Sequence, residues 1–489
     1  MIALTLAEIA DATRGTLLLD GAVLPDGTAA TPETVVDGLS TTDSREVVPG
    51  AIFFAKPGEV TDGHLFAPQA VEAGAALLVV DHALDLPVAQ LLVPDTVVAL
   101  GDLATEVIAR VRALGTLKIV GVTGSNGKTT TKNLLRAILE QLGPTIAPRA
   151  SFNNEVGAPV TMLEVTEETQ YLVAEMGASG IGEIARLVRM ARPDIGIVLK
   201  VGLAHAGEFG GIEKTLAAKT EMVSDLLESD VAVLNLDDPR VASMADKTAA
   251  RVLWFGLDDR AAVRATDVRS TARGTAFTLH LPALDGMGDA GGAGRAGESR
   301  TVQFQVLGEH HVMNALAAAA AAHTLGVDID TIVGALQTVQ RAERWRMEVL
   351  GGARGVTIIN DAYNASPDSM AAAIKTLAQI AEPGERTVAV LGEMSELGEF
   401  SGEEHDRIGL LAVRLGIDQL VIVGPAARRM HITAINEGSW DGESLFFETQ
   451  DEAFGHLSST LRAGDTVLVK SSNSAGLRFL GDRLGEFFS

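Results

Sequence analysis

Short apolar runs rich in Val, Ile and Leu alternate with alanine-rich stretches of helical periodicity along most of this 489-residue chain. Clear examples of such runs occupy residues 76–80, 118–122, 195–201, 231–235, 388–391 and 419–423. Runs that are apolar at every position suit strands covered by helices on both faces, which is typical of parallel sheets. The pattern therefore predicts an α/β fold throughout.

Two interruptions of this pattern predict three domains, at residues 1–97, 98–344 and 345–489. The first part is dense in turn residues and indicates a small mixed α/β domain. A helix at about residues 100–114 then leads into the strand before a glycine-rich loop, and the third part opens with a strand at 357–360. Three domains also agree with the length of the chain, at about 150 residues per domain.

The segment at residues 284–300 is rich in Gly and Ala, so we expect an exposed loop between strands at 276–281 and 301–307. The first nine residues carry no basic segment ahead of their apolar positions and predict a short amphipathic helix rather than a secretory signal. The longest apolar stretch, at 315–322, is far shorter than the roughly 20 residues that span a bilayer. We therefore expect a cytoplasmic protein without membrane insertion.

Charge and cysteine content narrow the range of functions. Lys and Arg total 39 against 64 for Asp and Glu, which gives a formal net charge of −25. Such an acidic chain is unsuited to coating nucleic acid or an anionic membrane surface, so we expect neither as a partner. A phosphorylated substrate is not excluded, because a few local cations and metal ions outweigh the global field. The absence of cysteine excludes disulfides, thiolate metal sites and cysteine nucleophiles.

A glycine-rich loop carries the strongest chemical signal in the sequence. It reads Gly-Val-Thr-Gly-Ser-Asn-Gly-Lys-Thr-Thr over residues 121–130, after a predicted strand and before a helix predicted at 131–142. In that context backbone N–H groups face phosphate oxygens at a positive helix terminus. Lys128 would neutralise the β- and γ-phosphates of a nucleotide, and the Thr129 hydroxyl would ligate Mg²⁺. The general P-loop pattern has glycine in place of Val122, and a chance glycine-rich turn is the alternative.

A carboxylate and an imidazole follow two other predicted strands. Glu175 ends the apolar run at 171–174, and His205 follows the strand at 195–201. Open α/β sheets bind ligands at the carboxyl ends of their strands, so both side chains are candidates for Mg²⁺ coordination beside the loop. Solvated surface side chains are the alternative. Lys219 lies in a helix predicted at 212–227 and is by itself typical of a solvated helix lysine.

Two further polar runs stand where the chain turns. Asn-Asn-Glu-Val-Gly at residues 153–157 is by itself only a polar turn. Asn-Asp-Ala-Tyr-Asn at 360–364 places polar side chains at the end of another predicted strand, with a helix cap as the alternative. Neither run identifies a ligand without further context.

Taken together, these motifs resemble those of the Mur ligase family, the ATP-dependent amide ligases of peptidoglycan precursor synthesis. The matching segments cover nearly the whole chain and lie at residues 42–45, 49–54, 62–64, 124–130, 153–157, 175–177, 204–205, 314–318, 360–367 and 391–398. The last two segments resemble the branch that adds D-alanyl-D-alanine to a UDP-N-acetylmuramoyl-tripeptide. Two departures are Lys-Ser-Ser-Asn at 470–473, where Lys-Gly-Ser-Arg is usual, and Glu393, where Asp is common.

The resemblance implies a central P-loop mononucleotide-binding domain, a C-terminal Rossmann-like α/β domain that takes the dipeptide, and a smaller mixed N-terminal domain that binds the UDP-sugar. The ATP-binding residues it implies are Gly124, Ser125, Asn126, Gly127, Lys128, Thr129, Thr130, Asn314, Arg344 and Asp361. Among these, Asn314 would meet adenine, while Arg344 and Asp361 would hold phosphate and ribose. The residues it implies at two Mg²⁺ sites are Thr129, Glu175, His205 and Lys219.

The resemblance also implies a catalytic set of Lys128, His205 and Lys219, with Lys219 carbamylated by CO₂. The UDP-sugar residues it implies are Ser44, Arg45, Asn154 and Ser179, and the dipeptide residues are Tyr363 and Asn364. The implied reaction uses ATP to form an acyl phosphate, which the dipeptide amine attacks, and we expect a monomeric enzyme. A sister Mur ligase, a folylpolyglutamate-type ligase, a non-ligating ATPase and a binding homologue of the same fold are the alternatives.

Overall fold

The computed structural model of the chain describes residues 1–58, 61–149, 151–202, 211–271, 274–283, 297–339, 343–381, 384–437 and 443–489. These residues form two compact units. The first unit consists of Met1–Val122, Leu142–Ala178 and Gly182–Gly196. The second unit consists of Thr123–Gln141, Ser179–Ile181 and Ile197–Ser489.

The strands of the described residues are short, as is usual in α/β proteins. In the first part of the chain they are β1 (Leu4–Thr5), β2 (Thr16–Leu18), β3 (Val35–Val36), β4 (Ser40–Thr41), β5 (Ile52–Phe54), β6 (Leu77–Val80), β7 (Ala89–Leu92), β8 (Lys118–Thr123), β9 (Thr145–Ile146), β10 (Tyr171–Glu175) and β11 (Ile195–Val198). In the second part they are β12 (Val231–Asn235), β13 (Arg251–Gly256), β14 (Val263–Thr271), β15 (Gly274–Leu281), β16 (Glu298–Phe304), β17 (Glu348–Gly351), β18 (Thr357–Asn360), β19 (Arg386–Leu391), β20 (Gln419–Val423), β21 (Ser444–Phe447) and β22 (Asp465–Lys470).

Helices separate most of these strands. Within the described residues the first of them are α1 (Leu6–Thr13), α2 (Ala67–Glu72), α3 (Thr96–Ala113), α4 (Lys128–Leu139), α5 (Gly157–Met162), α6 (Glu183–Ala191), α7 (Ile212–Ser224) and α8 (Pro239–Ala242). The later ones are α9 (Glu309–Thr324), α10 (Ile329–Thr338), α11 (Pro367–Ile380), α12 (Ser401–Arg414), α13 (Arg428–Asn436), α14 (Gln450–Thr460) and α15 (Leu477–Phe487). None of these helices combines the length and apolar content that crossing a membrane requires.

The first unit contains a five-stranded sheet in the order β2-β7-β6-β5-β4. Strands β4 to β7 pair in parallel and β2 pairs antiparallel to β7. Phe53, Leu78 and Val80 from this sheet pack with Ala67 and Ala70 of α2 in one buried cluster. In the same unit β10 pairs in parallel with β8 and β9, and this register places Glu175 opposite Val122.

In the second unit β12, β13 and β14 pair in parallel, and β15 and β16 continue from β14 with antiparallel pairing. Helix α9 packs against α4 and against β12 to β15. Every residue of the alanine-rich stretch at 315–322 is buried in α9. Small side chains let neighbouring elements approach closely, so this apolar stretch is the centre of a packed unit.

A second sheet of this unit has the order β17-β18-β22-β19-β20-β21, with β17 antiparallel and the other neighbours parallel. Alternate residues of β19 enter two different buried clusters. Ala389 and Leu391 join side chains of α11 to α13, whereas Val388 and Val390 join those of α14 and α15. The sheet is covered on both faces, and the carboxyl ends of β18, β19 and β22 come together at one edge.

The predicted α/β class is confirmed, and the predicted strands at 231–235, 357–360 and 419–423 match β12, β18 and β20 at both ends. Several other boundaries are wrong by about three residues. Helix α4 starts at Lys128 because Gly127 caps it, so the helix begins inside the glycine-rich loop motif. The predicted loop at 284–300 ends too late, because residues 298–300 pair with β15 as part of β16. Residues 284–296 lie outside the described residues, and the two boundaries between the three predicted domains stay a prediction.

Candidate active site

The glycine-rich loop joins the end of β8 at Thr123 to the start of α4 at Lys128. Val122, which replaces the glycine of the general pattern, is fully buried within β8. It belongs to the strand, so the glycine-rich turn starts two residues later, at Gly124. The first N–H groups of α4 have no partner within the helix, and together with its dipole they form an anion-binding end.

Gly127 holds a backbone conformation that only glycine adopts easily. Its φ is +87°, and a Cβ at this position would lie 2.3 Å from the Oδ1 atom of Asn314. The same contact shows that Asn314, predicted from the resemblance to bind ATP, lies directly against the loop. The structure therefore brings α9 and the glycine-rich loop together around one amide side chain.

Polar groups line the loop in the second unit. Lys128 Nζ donates a hydrogen bond to the Gly124 carbonyl at 2.8 Å, which folds the lysine back over the loop. The Ser125 N–H donates to the Lys200 carbonyl at 2.8 Å and anchors the loop to the chain after β11. Asn126 Oδ1 accepts a hydrogen bond from the Ser366 hydroxyl at 3.1 Å, and its Nδ2 is buried without a partner among the described residues. That donor is available to a phosphate oxygen.

Arg346 is a candidate functional residue that the sequence pattern did not identify. Its Nη2 lies 3.5 Å from the Thr129 hydroxyl, and its guanidinium stacks 4.3 Å above the Tyr363 ring. Its Nε is buried without a partner within the described part of the chain. This cation therefore stands between the glycine-rich loop and a residue predicted to bind the dipeptide.

Arg344, predicted from the resemblance to bind phosphate, contacts a different group. Its Nη2 donates to Asp482 at 3.1 Å, and its guanidinium lies 4.5 Å from the centre of the Trp345 ring. Trp345 and Met347 have positive φ angles of 58° and 50°, so the chain bends on either side of Arg346. An Arg-x-Arg spacing across the predicted domain boundary between residues 344 and 345 was the available signal, but it did not tell the two arginines apart.

Two neighbouring histidines at the start of α9 are held neutral. Burial lowers the pKa of His310 to about 4, and burial also lowers the pKa of His311 well below its ordinary value. Asn314 Nδ2 lies 3.2 Å from His311 Nδ1. Because the amide nitrogen is the donor, Nδ1 accepts and the ring proton sits on Nε2. This contact turns Asn314 Oδ1 toward Gly127.

Asp361 forms a buried ion pair rather than pointing freely into the site. Its Oδ2 accepts from Lys470 Nζ at 2.6 Å, and its Oδ1 accepts from the Met347 N–H at 3.0 Å. Lys470 also donates to the carbonyls of Asp361 and Asn364, at 3.2 and 3.1 Å. Lys470 belongs to the run at 470–473 that differs from the usual family sequence. It holds Asp361, predicted to bind ATP, and Asn364, predicted to bind the dipeptide, in one loop.

A pocket of about 400 Å³ opens at the edge where β18, β19 and β22 end. It is lined by Tyr363, Asn364, Ser395, Glu396, Ser472, Asn473 and Ser474. Three loops are tied together there, since Ser472 Oγ accepts from the Ser395 N–H at 2.8 Å and donates to the Ala365 carbonyl at 3.3 Å. The predicted dipeptide residues therefore share a polar pocket with residues from two other loops.

Glu175 in the first unit has the properties of a metal ligand. The side chain is fully buried, and its Oε1 accepts a hydrogen bond from Asn153 Nδ2 at 2.7 Å. Its Oε2 is buried without a partner among the described residues. An unpaired buried carboxylate oxygen costs free energy that a hard cation would offset, so Glu175 fits Mg²⁺.

Two other residues, Lys219 and His205, are also predicted metal ligands. Lys219 lies in α7 and is only 3 % exposed, so it is not the solvated lysine that its position in a helix suggested. His205 lies outside the described residues. Whether these groups meet at Thr129 and Glu175 therefore stays a prediction.

The predicted UDP-sugar residues form local contacts. The Arg45 guanidinium pairs with Asp43 through bonds of 2.9 and 2.6 Å, and this partner raises the pKa of Arg45. The Ser44 hydroxyl donates to Gln69 at 2.9 Å. Asn154 Oδ1 accepts hydrogen bonds from the N–H groups of Val156 and Gly157 at the start of α5. Ser179 is exposed. Their binding roles stay predictions.

Comparison with known proteins identifies the family. Three family models match the chain: the Mur ligase family catalytic domain at residues 39–117, the Mur ligase middle domain at 122–322, and the Mur ligase glutamate ligase domain at 345–473. The UDP-N-acetylmuramoyl-tripeptide–D-alanyl-D-alanine ligase of Mycobacterium tuberculosis (strain ATCC 25618 / H37Rv) is 41% identical over 99% of this chain and 98% of that protein. The protein of that name from Escherichia coli (strain K12) is 35% identical over 98% and 97%.

Solved structures agree with the sequence relatives. A crystal structure of MurF from Acinetobacter baumannii has a TM-score of 0.85 at 31% identity and covers 99% of both chains. MurF ligase from Thermotoga maritima in complex with ADP has a TM-score of 0.78 at 26% identity, over 92% of this chain and 97% of that one. The glycine-rich loop, the buried carboxylate and these full-length matches lead to one conclusion: the chain belongs to the Mur ligase family.

Proposed function

We propose that this protein joins D-alanyl-D-alanine to a UDP-N-acetylmuramoyl-tripeptide and uses ATP as the energy source. The observation that carries the proposal is the position of Arg346, which contacts Thr129 of the phosphate loop on one side and Tyr363 of the polar pocket on the other. A nucleotide phosphate and an incoming amine would meet across this side chain. The names of the full-length relatives supply the identity of the two substrates.

The first half of the reaction is a phosphoryl transfer. A carboxylate oxygen of the tripeptide attacks the γ-phosphorus of ATP, and the bond between that phosphorus and the oxygen bridging it to the β-phosphate breaks. The products are ADP and an acyl phosphate of the tripeptide. Both reactants are anions, so cations must offset their repulsion and the charge that develops during transfer. Lys128, the N-terminus of α4 and Arg346 supply positive charge at this position, and Asn126 Nδ2 supplies an additional donor.

The second half forms the amide bond. The neutral amine of the dipeptide attacks the acyl carbon, phosphate leaves from a tetrahedral intermediate, and the nitrogen loses one proton. Tyr363 and Asn364 line the pocket of about 400 Å³ that we assign to the dipeptide. The pocket is lined by residues with hydroxyl, amide and carboxylate side chains. Such groups suit a small polar ligand, because they can replace the hydrogen bonds that the ligand loses with water. Lys470 and Ser472 hold the pocket in shape through the contacts described above.

Glu175 and Thr129, with His205 and Lys219 from the family resemblance, are the residues that would hold Mg²⁺. A bound Mg²⁺ would screen the phosphate charges of ATP. The burial of Lys219 supports its modification, since an ammonium group is costly to bury and a carbamate carries the hard oxygen atoms that Mg²⁺ prefers. Lys219→Ala should then be nearly inactive and partly rescued by added acetate.

In this proposal Ser44 and Arg45 of the first unit bind the UDP end of the acceptor, and Asn154 and Ser179 would lie toward its muramoyl group. Arg45→Ala should therefore raise the KM for the UDP-sugar peptide and leave the KM for ATP nearly unchanged. We further propose that the enzyme acts in the cytoplasm as a monomer. Light scattering of the purified chain measures its oligomeric state.

Amine-dependent phosphate release tests the function. A ligase releases phosphate from ATP only when both the UDP-muramoyl-tripeptide and D-alanyl-D-alanine are present, whereas a simple ATPase does not respond to the dipeptide. Acceptors with lysine and with diaminopimelate at the third position should be assayed side by side, with Lys128→Ala as the inactive control. Release that is independent of the dipeptide would refute the ligase, and release with a folate or a single amino acid would identify a sister enzyme.

A further inference from the structure

A cluster of two imidazoles and a carboxylate lies in the first unit, and the proposed reaction gives none of these three side chains a role. His64 belongs to the 3₁₀ turn Gly63–Phe66, and Asp81 and His82 directly follow β6. One ligand atom from each of the three side chains lies within 4.8 Å of the others. The distance from His64 Nε2 to Asp81 Oδ1 is 3.2 Å, and that from Asp81 Oδ1 to His82 Nδ1 is 2.5 Å.

These separations are close to those of a tetrahedral metal site. Bonds of 2.0–2.1 Å at a tetrahedral ion place neighbouring ligand atoms about 3.3 Å apart. The pair between His64 and Asp81 already has that spacing. The pair between Asp81 and His82 needs to open by less than about 1 Å, and both side chains are exposed, so their movement disturbs no core packing.

His64 is oriented before any ion arrives. Its side chain is only 4 % exposed, and its Nδ1 lies 2.7 Å from Asp62 Oδ1. The Asp62 carboxylate also accepts the His64 N–H at 3.0 Å, so two hydrogen bonds join this carboxylate to His64. Because Nδ1 faces a carboxylate oxygen and Nε2 accepts the Asp81 N–H, the ring proton sits on Nδ1 and Nε2 presents its lone pair toward Asp81. Metal-ligating histidines commonly have this arrangement, in which a carboxylate holds the second nitrogen.

One hydrogen bond competes with an ion. The Asp81 N–H donates to His64 Nε2 at 3.2 Å, at the long end of the range for such bonds. A metal–imidazole bond is much stronger than this contact and would replace it. The rings of His64 and His82 stack with centroids 4.4 Å apart, so both imidazoles already lie on the same side of the turn.

We propose that His64, Asp81 and His82 bind a divalent transition-metal ion of the Zn²⁺ class, oriented by Asp62 and separate from the nucleotide site. Two imidazoles and one carboxylate suit Zn²⁺, Ni²⁺ or Cu²⁺ and are a poor set for Mg²⁺, which prefers oxygen donors throughout. Water would occupy the remaining coordination position. The ion would link the turn at Gly63–Phe66 to the end of β6 and so stabilise this part of the unit.

Zn²⁺ titration of the metal-stripped full chain by calorimetry tests the site, with Co²⁺ absorption as the spectroscopic readout. We expect His82→Ala to bind one equivalent fewer than the unsubstituted chain and to lose the visible band of tetrahedral Co²⁺. His456→Ala, which removes a histidine from α14, is the control and should bind as the unsubstituted chain does. His82 is exposed, so its removal should leave thermal unfolding without metal unchanged.

Asp62→Asn tests the orienting carboxylate. An asparagine at this position keeps the size of the side chain and removes its charge, and we expect Zn²⁺ affinity to fall about 10- to 100-fold with the stoichiometry unchanged. Equal stoichiometry for the unsubstituted chain and His82→Ala would overturn the site. Neither measurement uses ligase activity, so a failure here is distinct from a failure of the proposed reaction.

Discussion

Arg344 and Arg346 differ in what their guanidinium groups contact, although only Trp345 separates them. Arg346 Nη2 lies 3.5 Å from the Thr129 hydroxyl, whereas Arg344 Nη2 lies 3.1 Å from Asp482. Removing one preorganised donor from a developing anionic charge typically costs about 10²–10³ in rate. We therefore predict that Arg346→Ala lowers kcat by about that factor and that Arg344→Ala has a much smaller effect.

Steady-state kinetics with saturating ATP and acceptor measure this difference. Thermal unfolding of both variants is the control, because Arg346→Ala also removes a cation stacked on the Tyr363 ring. The assignment of Arg346 to the phosphates is wrong if Arg344→Ala is the more impaired variant, or if Arg346→Ala keeps the original kcat.

At the scale of single residues, the sequence predicts the position of a side chain where a local motif determines it. Lys128 follows a strand and a glycine turn, so its place at the start of a helix could be predicted. Arg346 could not, because bends at positive φ on both sides of it decide where its side chain points. Lys470 meets Asp361 across 109 residues of chain, through the parallel pairing of β18 and β22, and no local pattern records such a contact.

The start of α4 gives a prediction at the scale of an element. Gly127 caps the helix at φ +87°, and a Cβ there would lie 2.3 Å from Asn314 Oδ1. Gly416 has a φ of +67°, and a Cβ there would meet nothing within 4 Å. Both alanine variants suffer the cost of a left-handed conformation, about 1–2 kcal/mol, and only Gly127→Ala also displaces a neighbour. We predict that Gly127→Ala is the less stable variant by at least about 1 kcal/mol.

Urea unfolding of the two glycine variants measures that difference directly. Gly127→Ala should also raise the KM for ATP, because the displaced Asn314 amide faces the phosphate loop. Equal unfolding midpoints for the two variants would show that the chain relaxes around the new methyl group and that the loop tolerates it.

The ion pair that ties β22 to the loop after β18 gives a second prediction. Lys470 and Asp361 are buried and 2.6 Å apart. Removing one partner of a buried pair leaves an uncompensated charge, which typically costs about 3–5 kcal/mol. We predict that Lys470→Met destabilises the protein by about that amount and that Lys470→Met with Asp361→Asn recovers part of it.

Arg483→Ala is the matched control for this pair. Arg483 and Asp451 form an exposed ion pair at 2.7 Å, and such pairs contribute about 0–1 kcal/mol. Unfolding in urea measures all three variants. If Lys470→Met were no more destabilising than Arg483→Ala, the loop that carries Tyr363 and Asn364 would not depend on the buried lysine.

At the scale of elements, the apolar pattern predicts where strands occur more accurately than it predicts the residues at which they begin and end. Strands β12, β18 and β20 are buried on both faces, and continuous apolar runs mark them fully. The apolar pattern predicts β16 three residues too late in the chain, because the first residues of this strand are polar and exposed. The hydrogen bonds to β15 extend that strand, and the hydrophobic pattern carries no signal of them.

Acid sensitivity is a property of the whole molecule, because the histidines whose pKa is lowered by burial lie on several different elements between residues 280 and 431. Among the described residues they are His280, His310, His311, His323 and His431. In the unfolded chain each imidazole titrates near pH 6.5. Below that pH the unfolded state binds more protons than the folded state, so stability is fully present above about pH 6.5 and falls as the pH is lowered.

We predict that the free energy of unfolding decreases steadily from pH 6.5 to pH 5. Each histidine that stays neutral in the folded protein contributes a slope of up to about 1.4 kcal/mol per pH unit. For His310 this slope persists down to its folded-state pKa of about 4, so His310→Asn should flatten the curve by one such slope. His82→Asn, which alters an exposed histidine, is the control. A His310→Asn curve parallel to that of the unsubstituted protein would mean that His310 accepts its proton without unfolding, and that the packing at the start of α9 opens below neutral pH.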